Sequence, residues 1–329
     1  MTQKDTDNLT SNTINVESLR EKNIQTAYDL WKTDFLEHQS KNPLLSTYWI
    51  TDISQVKEYL KKHTQSDKGA VAFNEEKIVG YMVYDNFHFH GEEAAYCSIV
   101  GHASVKYNRL LIYQQLYRHL SDKWIKDNIL NHYYTFYRLD TQLLTEFYHR
   151  GFGLYAVDAY RTNDPLYSSS RASIEKASPS DVSDLMRLDD EFRAYTREAP
   201  LFFIRENKDS EAFNGFIDKR DSAAFISRIN GEAVGFMSIR LGPENDLITL
   251  TDCSMGNIVG AFVEREYRDK GVGVGLLRAI IEWSREIGIE RIHLDYESAN
   301  LLASRFWPKY FTPLLYSVKR NVNPDILNQ

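Results

Sequence analysis

Near the start of the chain, Leu19, Ile24, Ala27, Leu30, Trp31 and Phe35 recur at the spacing of one helix face. Residues 70–84 then read as two β-rich runs around the polar turn Asn74-Glu75-Glu76-Lys77, the pattern of a hairpin. Residues 224–240 repeat it around Asn230-Gly231, a dipeptide suited to a tight hairpin turn. The tetrads Val79-Gly80-Tyr81-Met82 and Val234-Gly235-Phe236-Met237 stand 155 residues apart. The same order follows each hairpin: a β-rich run (94–105 and 247–263), a helix (110–126 and 275–287), a strand (132–138 and 289–296), a short helix (141–150 and 300–307) and a closing strand (153–160 and 314–318). Self-similarity at such a distance predicts a duplicated α+β (mixed α/β) unit. The bland alternative is a single mixed domain with chance similarity. Pro165 and the serines at 168–170 mark a linker, which divides the chain into 1–165 and 172–329. A length of 329 residues suits two domains.

Composition narrows the function classes. Lys and Arg number 39 against 46 Asp and Glu, a net charge of −7. That balance disfavours general binding to nucleic acid or to anionic membranes, which needs clustered positive charge. No apolar run reaches the roughly 18 residues of a membrane span. The polar first dozen residues read as a loose terminus without the apolar stretch of a signal peptide. The two cysteines, Cys97 and Cys253, suggest neither a disulfide scaffold nor a zinc site, and both read as small buried hydrophobes. A cytoplasmic protein without a metal is the expectation. His88 and His90 could share a strand face as metal ligands, but surface histidines at a loop fit better.

The stretch 260–277 carries the chemistry. An apolar strand ends at Val263, a polar turn follows, and Gly271, Gly273 and Gly275 alternate before a helix. Free N–H groups at a helix start, aided by the helix dipole, form an anion cradle that suits a pyrophosphate. The dinucleotide fingerprint does not fit, because the glycines are spaced G-x-G-x-G and come after an antiparallel hairpin. A P-loop does not fit either, because Leu276-Leu277 follows the last glycine in place of Lys-Ser/Thr. Arg268-Asp269-Lys270-Gly271-Val272-Gly273 after Val263, and Asn300-Leu301-Leu302-Ala303 leading to Phe306-Trp307, resemble the two motifs of the GNAT superfamily of N-acetyltransferases over roughly residues 172–320.

The resemblance implies tandem acyl-CoA N-acyltransferase folds, each a mostly antiparallel twisted sheet flanked by helices. It implies acetyl-CoA as co-substrate and an amine acceptor of unknown identity, and it leaves room for a homodimer. Ala261, Phe262 and Val263 would offer strand backbone to the pantetheine arm. Arg268, Asp269, Lys270, Gly271, Val272, Gly273, Val274 and Gly275 would wrap the pyrophosphate. Asn300 would hydrogen-bond the pantetheine, with Trp307 close by. The first half departs from the pattern. Its matching loop, 107–115, has no glycine and places Leu110, Leu111 and Ile112 where a cradle needs bare backbone, so it reads as a degenerate copy, folded but not binding acetyl-CoA in the usual manner.

For direct acyl transfer the family often places an acidic Tyr where this chain has Trp307, which cannot shuttle a proton. Tyr310 is the substitute candidate, although Pro308 stands between them. For the base, Asp252 comes first, then Glu264 and Glu297. The runner-up function is a non-catalytic acyl-CoA-binding sensor or docking protein, motivated by Trp307. Transfer of another acyl or aminoacyl group also stays open, because the loop reads the CoA tail and not the acyl end.

Overall fold

Each half opens with a short strand, followed by a helix that packs on a hairpin. The computed structural model of the chain describes residues 13–89, 91–167, 172–242 and 246–328. The polar first dozen residues, His90 and the serines at 168–170 fall outside them. In chain order the elements are β1 (Ile14–Ser18), α1 (Ile24–Lys41), α2 (Tyr48–Thr51), α3 (Ser54–Gln65), β2 (Gly69–Asn74), β3 (Lys77–Val83), β4 (Asp85–Phe89), β5 (Glu92–Cys97), β6 (His102–Ser104), α4 (Arg109–Lys126), β7 (Asn131–Tyr137), α5 (Thr141–His149), β8 (Gly153–Thr162), β9 (Ser173–Lys176), α6 (Val182–Arg197), α7 (Ser210–Ile217), β10 (Ser222–Ile229), β11 (Glu232–Leu241), β12 (Met255–Val263), α8 (Val272–Glu286), β13 (Arg291–Glu297), α9 (Leu301–Phe306) and β14 (Thr312–Asn321). Helices and mostly antiparallel strands thus form an α+β fold, as the pattern predicts. No described helix is long and apolar enough to cross a membrane.

The chain divides into two compact units. The first runs through Tyr155 and takes in Leu247–Leu250 and everything from Leu314; the second is Ala156–Asp246 with Thr251–Pro313. The closing strands are therefore exchanged. In the first unit β14 pairs antiparallel with β7, from Leu315↔Tyr137 to Asn321↔Asn131. In the second, β8 pairs antiparallel with β13, from Ala156↔Glu297 to Thr162↔Arg291. The hydrophobic pattern of these strands states which face is buried, and it is silent on which neighbour each will choose.

The two hairpins share one construction. Gly80 pairs with Ala72 just before a register shift and faces Ser104, the last residue of β6. Gly235 pairs with Ser227 just before the same kind of shift and faces Val263, the last residue of β12. The first unit's core gathers Tyr113, Leu116, Trp124, Tyr134, Phe136 and Phe147. The second packs Leu185 and Leu188 of α6 and Phe213 of α7 against Ile226, Phe236 and Phe262.

Several boundaries differ from the pattern. The run 94–105 is two strands, broken by a turn in which the Gly101 N–H donates to the Ser98 carbonyl at 2.8 Å. The run 247–263 is strand only from Met255, because the Asp252 carboxylate accepts the Ser254 N–H at 2.9 Å and turns the chain there. Cys253 in that turn is exposed, while Cys97 is buried. His88 sits on an exposed hairpin, 3.3 Å from Glu93.

Candidate active site

The site begins with two strands that part. Parallel β12 and β13 pair only between Met255–Asn257 and Arg291–His293. Beyond that point β12 continues along β11 and β13 along β8. From Ile258 to Val263, β12 therefore turns toward β13 an edge that no described strand pairs with, and such an edge accepts an extended amide chain. Ala261 and Val263 lie on this stretch. The Phe262 side chain packs under α6 in the core, against Phe192 at 5.7 Å between ring centroids.

The turn after Val263 leads to α8, which starts at Val272, three residues earlier than the pattern suggests. Gly271 precedes it with φ of +82°, in the left-handed region where a side chain is strained. Among the described residues no side chain caps α8. The first N–H groups of a helix have no partner within it. The Gly275 N–H does have one, since it donates to the Gly271 carbonyl at 2.9 Å. The donors open to an anion are thus those of Val272, Gly273 and Val274, and Gly275 serves the helix itself. Gly273 has a second reason to be bare: a Cβ there would meet the Phe306 ring at 3.3 Å.

The remaining expected residues divide. Arg268 does not reach out as a solvated cation. Its Nε donates to the Val263 carbonyl at 2.9 Å, and its guanidinium lies 5.5 Å from the Tyr195 ring and 5.6 Å from Phe262. Burial lowers its pKa. Asp269 and Lys270 are exposed, with Asp269 at φ +58° and Lys270 over the Tyr267 ring. The Asn300 Oδ1 caps α9 through the Ala303 N–H at 3.1 Å and accepts the Tyr195 hydroxyl at 3.0 Å, which leaves its amide nitrogen as the donor. Trp307 is buried edge-on against Phe311, 5.5 Å away. Tyr310 is half-buried, its ring tilted against that of Phe306 with centroids 5.0 Å apart.

Two of the candidate bases are committed elsewhere. Asp252 is buried at the closed end of the β12–β13 pair, where Arg291 approaches it to 3.3 Å. Glu264 pairs with Arg187 of α6 at 2.5 Å. Glu297 stands with a group that sequence reasoning missed. His293, Asp295 and Glu297 alternate along β13, so they share one face. Across the ladder Asp295 is paired with Asp158 of β8. The His293 Nδ1 lies 2.9 Å from the Asn257 Oδ1, and its Nε2 is 3.1 Å from the Asp158 carboxylate. Solvent reaches Asp295, yet surrounding protein desolvates its carboxylate, and with the Asp158 charge opposite this raises its pKa to about 6. The alternation of charged residues in an otherwise apolar strand was the available signal.

In the first unit, side chains occupy the corresponding places. Asn108 precedes α4 with φ of +52°, doing with an asparagine what Gly271 does before α8. His102 has the register position of Ala261, facing Met82 as Ala261 faces Met237. Its Nε2 donates to the Thr135 carbonyl of β7 at 2.9 Å, so Nδ1 accepts from the Tyr113 hydroxyl at 2.8 Å. Arg109, first in α4, is buried between Asp34 at 3.2 Å and Asp140 at 2.7 Å. Asp140 caps α5 as Asn300 caps α9.

Residues 185–311 match the model of the acetyltransferase (GNAT) family. The matched span holds α8 and its loop, the parted strands, Asn300 and Tyr310. Streptothricin acetyltransferase A of Bacillus subtilis (strain 168) is 25% identical over 33% of this chain and 57% of its own length. Aminoglycoside N(6')-acetyltransferase type 1 of Stenotrophomonas maltophilia is 32% identical over 23% of this chain and 49% of its own. The chain thus spans about half the length of these curated relatives. A crystal structure of a GCN5-related N-acetyltransferase from Sphaerobacter thermophilus superposes with a TM-score of 0.59 at 12% identity, covering 95% of this chain and 97% of that one. That likeness extends the fold over both units.

Proposed function

We propose that the chain is an acetyl-CoA-dependent N-acetyltransferase acting on a small-molecule amine, with the co-substrate held by the second unit alone. The uncapped amides of Val272, Gly273 and Val274 beside the parted edge of β12 carry this reading. They suit a pyrophosphate followed by a chain of amides. When bound, acetyl-CoA would supply a thioester carbonyl for attack by the amine and a thiolate leaving group. The edge of β12 and the Asn300 amide would hold the pantetheine, and Tyr310 would protonate the departing sulfur. The first unit would be a second copy of the fold, its slot filled by His102 and by Arg109 with Asp34 and Asp140. The sequence relatives named for streptothricin and aminoglycosides support an amine acceptor of that general size.

The test follows thiol release from acetyl-CoA with streptothricin, sisomicin, glucosamine or spermidine, and propionyl-CoA runs alongside to compare acyl groups. Amine-dependent release is expected, with one acetyl-CoA site per chain by calorimetry. The second reading, a non-catalytic sensor, draws on Trp307 being buried away from any proton-donating role. Tight acetyl-CoA binding without release on any of the amines would favour it.

A further inference from the structure

We infer that Asp295 is the catalytic residue that takes the proton from the acceptor's ammonium, and that Asp158 is the positioning residue that makes it able to. The inference rests on the acetyltransferase reading and names the acid–base group of that site. Geometry carries it. β13 leaves β12 after His293, and Asp295 is the next residue on the same face, so it stands where the gap opens. Asn257, paired with His293, marks the closed end of that gap. Solvent reaches the Asp295 side chain, whereas Asp252 is buried beside Arg291 and Glu264 is bound to Arg187.

An amine in water is mostly protonated and cannot attack a carbonyl until one proton leaves. A carboxylate with an ordinary pKa is a weak acceptor for it. Four neighbours act on Asp295 besides desolvation by the surrounding protein: Asp158 of β8 and Glu297 of β13 push its pKa up, while His293 of β13 and Arg205 of the loop after α6 pull it down. The balance is upward. The His293 imidazole, held between Asn257 and Asp158, fixes the Asp158 carboxylate in place. The reaction balances as follows. One ammonium proton passes to the Asp295 carboxylate, and the amine lone pair forms the C–N bond. The C–S bond breaks with its electrons on sulfur, and the proton shed by the new amide nitrogen leaves on the thiol. Asp295 returns its proton to solvent.

Asp295→Asn and Asp158→Asn are compared with the unaltered chain, using the most active amine of the panel between pH 5 and 9. Asparagine at 158 keeps an oxygen for His293. The unaltered chain should lose kcat/KM below about pH 6. Asp295→Asn should lose at least about 100-fold in kcat, keep its calorimetric Kd for acetyl-CoA within twofold, and show no acid limb near pH 6. Asp158→Asn should move that limb to lower pH. An Asp295→Asn variant that retains the limb and more than half the rate would overturn the inference with the acetyltransferase reading left standing. If no amine is turned over, that reading fails by itself, and carbon-13 NMR titration of the Asp295 carboxyl then decides the remainder. A midpoint near 6 that falls in Asp158→Asn supports the pairing; a midpoint at or below 4 that ignores Asp158 overturns it.

Discussion

Gly271→Val is expected to weaken acetyl-CoA binding by more than about 100-fold, roughly 2.7 kcal/mol. Gly271 holds φ of +82° directly before the first turn of α8. An L-residue pays roughly 1–2 kcal/mol in that region, and a β-branched one more. The chain would relieve the strain by shifting the start of the helix, and the amides of Val272, Gly273 and Val274 would no longer converge. Binding would then be lost with the fold intact. Gly271→Asn is the informative companion, because Asn108 already holds φ of +52° at the matching place before α4. It should retain much more affinity than valine. Leu111→Phe, on α4 of the first unit, should leave affinity within twofold. Calorimetry of the three variants checks this; valine within threefold of the unaltered chain, or two acetyl-CoA sites per chain, would refute the cradle and the closed first unit respectively.

Acid is expected to unfold the first unit well above the pH at which carboxylates titrate. Burial holds both His102 and His132 down to about 4, from an ordinary 6.5. Burial lowers His38 as well. In the unfolded chain these rings bind protons below about pH 6.5, while in the folded chain they stay neutral. Stability is therefore fully present above pH 6.5 and is lost as pH falls toward 4. A depression of that size is worth on the order of 3 kcal/mol per ring at pH 4. Below that, Asp85 takes over. Despite the cost of its burial, hydrogen bonds from His63 and Tyr59 lower its pKa to about 2, so its share goes as pH falls from about 4 to 2. The Trp124 ring lies 4.6 Å from His132 and reports the change. Tryptophan fluorescence in urea should show the midpoint dropping steeply between pH 7 and 4.5. A midpoint flat across that interval would mean the rings protonate in place. His102→Gln should flatten part of the slope.

These buried rings make up half of the eight histidines, out of nine, that lie before residue 150. His38, His63, His102 and His132 are buried in the first unit. His102 spans β6 and β7 where the second unit leaves its strands parted. The skew was visible in the sequence without its meaning, because a histidine filling a slot and a histidine on a surface look alike in one dimension. The glycine-free loop 107–115 offered Leu110, Leu111 and Ile112 as the filling residues. The filling came instead from Arg109 and His102, whose partners Asp34, Asp140 and Thr135 are remote in the chain.

Local chemistry determined much by itself. Alternation and turn residues specified both hairpins, and the glycine loop after Val263 specified a helix start with open amides. The Asn300 motif specified a capped short helix. These features depend on residues a few positions apart, which act on one another whatever the rest of the chain does. Only the tertiary structure decided the exchange of β8 and β14, the closed end that ties Asp252 to Arg291, and the facing of Asp295 by Asp158. Each joins segments more than 35 residues apart. A strand's pattern says which face is buried, while its neighbour, and so the charge opposite its carboxylates, is chosen by how the whole sheet packs.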